Sequence, residues 1–362
     1  MRKLLRQAAT AVAALCVALC AAADPSEDVA PFPVLDAHVD PVGRLLNRGD
    51  SLADSDAGGQ VDIPKWRAGG VNIVWVAIWV DPRRYPGEAA YERANALIDA
   101  LEQDVRAHRK DLELCRTAAQ CQQAARRGKI ALILGLEGGE PLMSSPAVLD
   151  HFWRRGIRRV TLTWRGDLPW AGSSQNWDQS AVRRPKGLSE LGEELVRRMN
   201  QRGIVVDLSH TSELTARDAI AVSQRPVIFS HSNCKALCDH PRNVSDDMLR
   251  ALRDNGGVIG VNFHSRHLVG NTLRAAVMPR RAATIEDVVR HIDHIREVAG
   301  IDHVGIGSDW DGDITPAVGL EDASRLPALW QALRRHGYSE EDIRKIAGGN
   351  FLRVIAANEA TN

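Results

Sequence analysis

Eight short apolar runs, separated by stretches with helical periodicity, constrain the fold of this 362-residue chain more than any other feature. Most are continuous runs of aliphatic or β-branched residues, as expected for strands of a parallel sheet that is buried on both faces. Eight strands alternating with helices predict an α/β fold, a (β/α)8 barrel of the TIM type. The runs lie at residues 34–36, 72–78, 130–136, 159–163, 204–208, 227–230, 258–262 and 304–307.

Two of the intervening stretches show clear helical periodicity. Apolar residues recur at spacings of three and four in residues 188–199 and again in 285–299. Thr284 and Asp287 form the capping-box pattern that begins the second of these helices. No linker, repeat or low-complexity tract divides the chain, so we expect one barrel domain over residues 24–362.

The first 23 residues differ in composition from the rest of the chain. Residues 1–3 are a short basic start, residues 8–23 are uncharged, and the three alanines at 21–23 fit a cleavage signal. The uncharged run is shorter than the ~20 apolar residues that a spanning helix needs. We therefore expect a signal peptide at residues 1–23, export to the periplasm or secretion, and no membrane span after its removal.

Charge and cysteine content narrow the choice of partners and environment. The 46 basic and 46 acidic residues cancel, whereas nucleic-acid-binding proteins usually carry a basic excess, so we expect no nucleic-acid partner. In an oxidising compartment, Cys115–Cys121 and Cys234–Cys238 are candidates for local disulfides, and both spacings also fit free thiols.

Titratable side chains stand at the carboxyl ends of several predicted strands. They are His38 and Asp40 after the first strand, Glu137 after the third, His210 after the fifth, His231 after the sixth and Asp309 after the eighth. In a barrel these strand ends converge on one face, where active sites are built. Packing does not explain so many titratable groups at equivalent positions, so they are candidate site residues.

Five of these residues suit a pair of divalent metal ions. Alternate residues of a strand point the same way, so His38 and Asp40 can reach one ion. A buried carboxylate such as Glu137 is costly unless it is paired or bound to metal. We predict that His38, Asp40 and Glu137 hold one ion, and that His210, His231 and the second oxygen of Glu137 hold the other. Nitrogen and oxygen ligands without thiolates favour zinc, so we expect two Zn²⁺ per chain.

The sequence resembles the membrane dipeptidase (renal dipeptidase) family of zinc peptidases, family M19, from about residue 34 to residue 355. The matching stretches occur in the same order as in the family, which makes the resemblance specific. They are DAHVD at 36–40, GLEGGE at 135–140, VTLTW at 160–164, GLSELGEELVRRMNQRGIVVDLSH at 187–210, PVIFSHSNCKALCDHPRNVSDDML at 226–249, GGVIGVNF at 256–263, HVGIGSDWDG at 303–312 and GGNFLRVI at 348–355.

The resemblance implies a barrel of the metal-dependent hydrolase type with a binuclear zinc centre on the same five residues. It implies hydrolysis of dipeptides, L,L and also L,D, by a hydroxide that bridges the two ions. Asp309 falls on the family's catalytic proton-transfer residue, which also contacts substrate, and Arg242 falls on its substrate-binding arginine. His264, after the seventh predicted strand, is a further substrate-binding candidate. A homodimer would follow the family's habit.

One position departs from the family pattern and keeps two alternatives open. Many members carry a histidine after the fourth strand, where this chain has Trp164. The first alternative is therefore a related binuclear-metal amidase or lactonase acting on N-acyl amino acids or similar small substrates. The second is a binding protein that keeps the metal site without catalysis.

Overall fold

The computed structural model describes residues 32–175, 186–269 and 281–359. The predicted signal peptide lies outside these residues. The described part of the chain contains nine strands. They are β1 (Leu35–Val39), β2 (Ile73–Trp79), β3 (Leu112–Leu114), β4 (Ile130–Glu137), β5 (Ile157–Thr161), β6 (Val205–Asp207), β7 (Ile228–Ser232), β8 (Val258–Val261) and β9 (Val304–Ile306).

Eight parallel strands form a nearly closed barrel. Their order in the sheet is β1-β2-β4-β5-β6-β7-β8-β9. Beyond the end of β9, Val39 forms a parallel bridge with Trp310, and the Asp40 amide donates to the Trp310 carbonyl at 2.9 Å. This bridge brings the last strand segment back to the first and confirms the predicted barrel.

The sequence did not predict β3, and four strands, β1, β2, β4 and β7, extend further at their carboxyl ends than predicted. The three-residue β3 pairs with β4 outside the barrel order, and so short a segment gives no periodic signal. His38, Glu137 and His231 lie within β1, β4 and β7, whereas the sequence placed them after the strands. A polar side chain interrupts an apolar run, but the backbone hydrogen bonds of the ladder continue past it.

Helices connect the strands, and two of these helices were predicted from the sequence. The helix Ile285–Val298 begins with the predicted capping box of Thr284 and Asp287. The helix Glu190–Arg202 buries Leu195 and Met199 of the predicted apolar face and begins after Leu188. The remaining helices are Val42–Arg48, Ile63–Ala68, Glu88–Ala107, Ala118–Arg126, Pro146–Arg155, Glu213–Val222, Asp246–Asn255, Ser265–Val269, Leu326–Arg335, Glu340–Arg344 and Asn350–Asn358.

The strands are buried along almost their whole length, as the apolar runs predict. Leu35, Ile73 and Trp75 are fully buried, and burial of each of the two aliphatic side chains contributes about 1.5–3 kcal/mol to folding. The cysteines at 115, 121, 234 and 238 are buried thiols in this structure. Among the described helices, we find none with the length and apolar character needed to cross a membrane.

Candidate metal centre

The carboxyl ends of four barrel strands bring the five predicted metal ligands together. His38, Glu137 and His231 lie at the ends of β1, β4 and β7, and Asp40 directly follows β1. His210 lies three residues beyond β6 in a left-handed backbone conformation with φ 68°. Histidine tolerates that conformation better than most residues, and non-glycine residues that adopt it often lie at functional sites.

Glu137 lies at the centre of the group because its two oxygens face different ligands. Oε2 is 3.5 Å from His38 Nε2. Oε1 is 3.2 Å from His210 Nε2 and 3.6 Å from His231 Nε2. His38 Nε2 is also 3.2 Å from Asp40 Oδ2. The carboxylate therefore contributes one oxygen to each of two adjacent sets of ligand atoms.

The spacing and chemistry of these atoms fit divalent metal ions. Three sets of three potential ligand atoms occur among the described residues, and the atoms within each set lie within 4.8 Å of one another. Two of them, His38–Asp40–Glu137 and Glu137–His210–His231, are the predicted sets, and the third is His38–His231–Asp309. Their separations are close to the ~3.4 Å edge of a tetrahedron with metal–ligand bonds of about 2.1 Å. His38 Nε2 is buried and has no hydrogen-bond partner among the described residues. This is expected for a nitrogen atom that is a ligand of a metal cation.

The buried carboxylates of Asp40 and Glu137 require a positive charge next to them. Burial alone would lower the pKa of His38, but the charges of Asp40 and Glu137 raise it to about 10. Burial raises the pKa of Glu137, yet His38 and His210 hold it well below its ordinary value. A proton or a metal cation has to balance such buried charges.

Asp309 lies beside the predicted metal ligands, within reach of His38 and His231. Its Oδ1 is 3.9 Å from His38 Nε2, and its Oδ2 accepts a hydrogen bond from the side-chain amide of Asn262 at 2.8 Å. Burial, with the nearby charges of Asp40 and Glu137, raises the pKa of Asp309 to about 7. A carboxyl group with this pKa can both accept and donate a proton near neutral pH.

Arg242 is a buried cation next to His231. The residue is 4% exposed. Its guanidinium donates to the His231 carbonyl at 3.1 Å and to Ser232 Oγ at 3.4 Å, both of which are uncharged. Burial lowers its pKa to about 10, so it remains charged at neutral pH. Among the described residues, no carboxylate pairs with this guanidinium, which leaves donors for an anionic ligand.

Two cavities adjoin at His210. One, of about 420 Å³, is lined by Asp40, Glu137, His210 and Asp309, together with Trp164. The other, of about 550 Å³, is lined by His210 and Arg242. His210 therefore lines both the cavity at the predicted metal ligands and the cavity at the buried arginine.

Comparison with known proteins identifies the family to which this arrangement belongs. Residues 27–362 match the family model of the membrane dipeptidases, peptidase family M19. The chain belongs to the membrane dipeptidase family. The dipeptidase verJ of Clonostachys rogersoniana is 36% identical over 301 residues, which cover 81% of this chain and 74% of that protein.

Solved structures agree with the family assignment. The dipeptidase AC, a metallo peptidase of family M19, is 31% identical with a TM-score of 0.82, over 91% of this chain and 99% of that one. A metallo peptidase from Rhodobacter sphaeroides, liganded with a phosphinate mimic of the dipeptide L-Ala-D-Ala, is 30% identical with a TM-score of 0.80, over 91% and 99%. The present chain is accordingly a metallo-dipeptidase, as the sequence resemblance predicted.

Trp164 and His264, both singled out from the sequence of this membrane dipeptidase family member, lie differently with respect to the two cavities. Trp164, at the position of the family's histidine, lies with its ring centroid 4.8 Å from that of Trp79 and 6.2 Å from that of His210. It therefore forms part of an aromatic wall next to the metal ligands. His264 lies next to His267, with ring centroids 4.8 Å apart, and is not among the residues that line the two cavities. Its substrate contact remains a prediction.

A buried polar network near the ligands was missed by the sequence analysis. Arg159 is fully buried on β5, with Nε 3.7 Å from Asp207 Oδ2. Its sheet partner is Gly135, where a Cβ would lie 2.6 Å from Arg159 Nε. Burial raises the pKa of Asp207, but Arg159 and neighbouring hydroxyl groups bring it below its ordinary value. A charged residue inside a predicted apolar strand was the available signal for this network.

Proposed function

We propose that this chain is a binuclear zinc dipeptidase that cleaves L,L- and L,D-dipeptides. The observation that carries the proposal is the orientation of Glu137, with one carboxylate oxygen toward each of two ligand sets. His38, Asp40 and Glu137 would hold one ion, and Glu137, His210 and His231 the other. The nitrogen and oxygen ligands favour zinc over the softer metals that prefer thiolates. The bound mimic of L-Ala-D-Ala in the Rhodobacter sphaeroides relative supports the cleavage of L,D-dipeptides.

The bound ions would supply Lewis-acid activation of a water molecule and of the scissile carbonyl group. Asp309 accepts a proton from the attacking water and then donates it to the leaving amine. Asn262 holds the Asp309 carboxyl group in place through its hydrogen bond to Oδ2. This assignment is favoured by the position of Asp309, whose Oδ1 is 3.9 Å from His38 Nε2.

Arg242 binds the C-terminal carboxylate of the substrate. A buried guanidinium gains most from a bidentate pair with an anion, because both charges leave water. The cavity lined by Arg242 and the cavity lined by the metal ligands share His210, so one substrate can reach both groups. A longer peptide would place its carboxylate elsewhere, so the clamp restricts cleavage to very short substrates.

The N-terminal sequence supports export. The basic start, the uncharged run at residues 8–23 and the alanines before Asp24 follow the pattern of a cleaved signal peptide. We therefore place the mature enzyme in the periplasm or outside the cell.

A substrate screen on the zinc-loaded protein tests the function. Hydrolysis of L,L- and L,D-dipeptides should be lost with a chelator and restored by zinc, and N-acyl amino acids and lactones should remain intact. Turnover of N-acyl amino acids or lactones without turnover of dipeptides would favour the amidase or lactonase alternative. Zinc binding without turnover of any compound would favour a non-catalytic binding protein.

A further inference from the structure

A chain of hydrogen bonds leads from a buried carboxylate to one of the metal-ligand histidines. Asp207, Ser230 and His231 are all at most 1% exposed. Ser230 Oγ lies 2.6 Å from Asp207 Oδ2 and 2.8 Å from His231 Nδ1. The hydroxyl group therefore connects the carboxylate to the side of the imidazole ring that faces away from Glu137.

The directions of these hydrogen bonds follow from the groups involved. An ionised carboxylate only accepts hydrogen bonds, so Ser230 gives its single hydroxyl proton to Asp207. Toward His231 the same oxygen has to accept, which places a proton on Nδ1 of that ring. In the neutral ring, Nε2 then carries a lone pair and faces His210 Nε2, at 3.0 Å, and Glu137 Oε1, at 3.6 Å.

Several hydrogen bonds and one ion pair fix the orientation of the Asp207 carboxylate. Its Oδ1 accepts the backbone amides of Ser209 at 3.1 Å and Ser230 at 2.9 Å. Its Oδ2 accepts the hydroxyl of Thr161 at 2.6 Å in addition to that of Ser230. The guanidinium of Arg159 provides the opposite charge. The carboxylate therefore has a fixed orientation and a balanced charge.

The other two ligand histidines have no equivalent support. Nδ1 of His38 and Nδ1 of His210 are buried and have no hydrogen-bond partner among the residues that the structure describes. Only one of the three rings thus has its tautomer fixed by a neighbour within this part of the chain. That ring belongs to the Glu137–His210–His231 set.

We propose that Asp207 is a positioning residue that acts through Ser230 to hold His231 in the tautomer with a free Nε2, and so sets the metal affinity of the Glu137–His210–His231 set. The inference rests on the proposed pair of metal ions. Hydrogen bonds to the distal nitrogen of a ligand histidine fix the ring orientation and increase its basicity, and their loss typically weakens metal binding about 10- to 100-fold.

The test compares Ser230→Ala with Thr161→Val. Both substitutions remove a hydroxyl group that bonds to Asp207 Oδ2 at 2.6 Å, but only Ser230 also contacts a histidine. Competition with a chelating dye measures the affinity of the metal-free protein for each zinc equivalent. We expect Ser230→Ala to weaken one of the two equivalents about 10- to 100-fold, whereas Thr161→Val stays close to wild type. Equal weakening in both variants, or none in Ser230→Ala, would overturn the proposal.

A second measurement needs no change to the network. In metal-free wild-type protein labelled with ¹⁵N-histidine, the shifts of the ring nitrogens report which one carries the proton. The signal of His231 is assigned by its loss in His231→Gln. We expect a proton on Nδ1, and a proton on Nε2 alone would refute the positioning role. This result is independent of turnover, so it separates failure of the inference from failure of the proposed enzyme function.

Discussion

Asp309 illustrates how a single carboxyl group is tuned by its neighbours. Burial raises its pKa, and a hydrogen bond from Asn262 fixes one of its oxygens. Asp309→Asn keeps the size of the side chain but removes proton transfer. We expect the variant to retain its zinc content and to lose about 10²- to 10⁴-fold in kcat. Metal analysis and kinetics on the same preparation measure both, and turnover close to wild type would remove Asp309 from the mechanism.

In the proposed mechanism, Arg242 acts on substrate binding and not on the chemical step. Since the substrate carboxylate is held in the ground state and in the transition state alike, Arg242→Ala should raise KM with little change in kcat. The expected increase is about 10- to 100-fold, corresponding to a lost charge-assisted pair. Arg266→Ala, at an exposed neighbouring arginine, is the matched control. An unchanged KM in Arg242→Ala would contradict the carboxylate clamp.

Among single residues, the sequence was most informative where a side chain that can bind metal lies at the predicted carboxyl end of a strand. The five candidate metal ligands could be singled out, and the structure brings them together, because histidines and carboxylates rarely follow apolar runs without a reason. Asn262 and Ser230 could not, because uncharged polar residues at strand ends are common and their roles depend on which neighbour they contact. Those contacts, to Asp309 and His231, exist only in the folded chain.

At the scale of elements, the strands were predictable and their ends were not. Burial on both faces makes each strand a recognisable apolar run. The ladder hydrogen bonds, however, continue to Glu137 on β4 and to Ser232 on β7, beyond the apolar residues. The extension matters for function because it places Glu137 and His231 on regular strands, which hold side chains more precisely than loops do.

Helix packing around the barrel depends on Asp150, a buried acid in the helix Pro146–Arg155. Its Oδ1 accepts from Nε of Arg198 at 3.0 Å and from Nε of Arg202 at 2.8 Å, and both arginines lie in the helix Glu190–Arg202. Asp150→Asn should lower the free energy of unfolding by about 1–2 kcal/mol, since both arginines are partly exposed to solvent. Urea denaturation at pH 7 measures the difference.

The effect of Asp150 should depend on pH in a defined direction. Hydrogen bonds from Arg198 and Arg202 lower the pKa of Asp150 in the folded protein. Its contribution is therefore complete above the unfolded pKa of about 3.9 and is lost as the pH falls through the lower folded value. The difference between wild type and Asp150→Asn should shrink below about pH 4. Asp99→Asn, in an exposed ion pair with Arg155, should change stability by less than about 0.5 kcal/mol at any pH.

At the scale of the whole molecule, barrel closure creates the site. His38 on β1 and Asp309 after β9 are far apart in the sequence, yet the Asp309 amide donates to the His38 carbonyl at 3.0 Å. The alternation of strands and helices predicts this convergence, because parallel barrel strands direct all their carboxyl ends to one face. The sequence does not predict the distances, which depend on strand register and on the backbone beyond each strand.

Anomalous diffraction can locate the two metal ions that are proposed to share Glu137. Crystals of zinc-loaded protein, measured on both sides of the zinc absorption edge, should show two anomalous peaks. One should lie between His38, Asp40 and Glu137, and the other between Glu137, His210 and His231. A single peak, or peaks away from these side chains, would show that Glu137 does not join two metal ions.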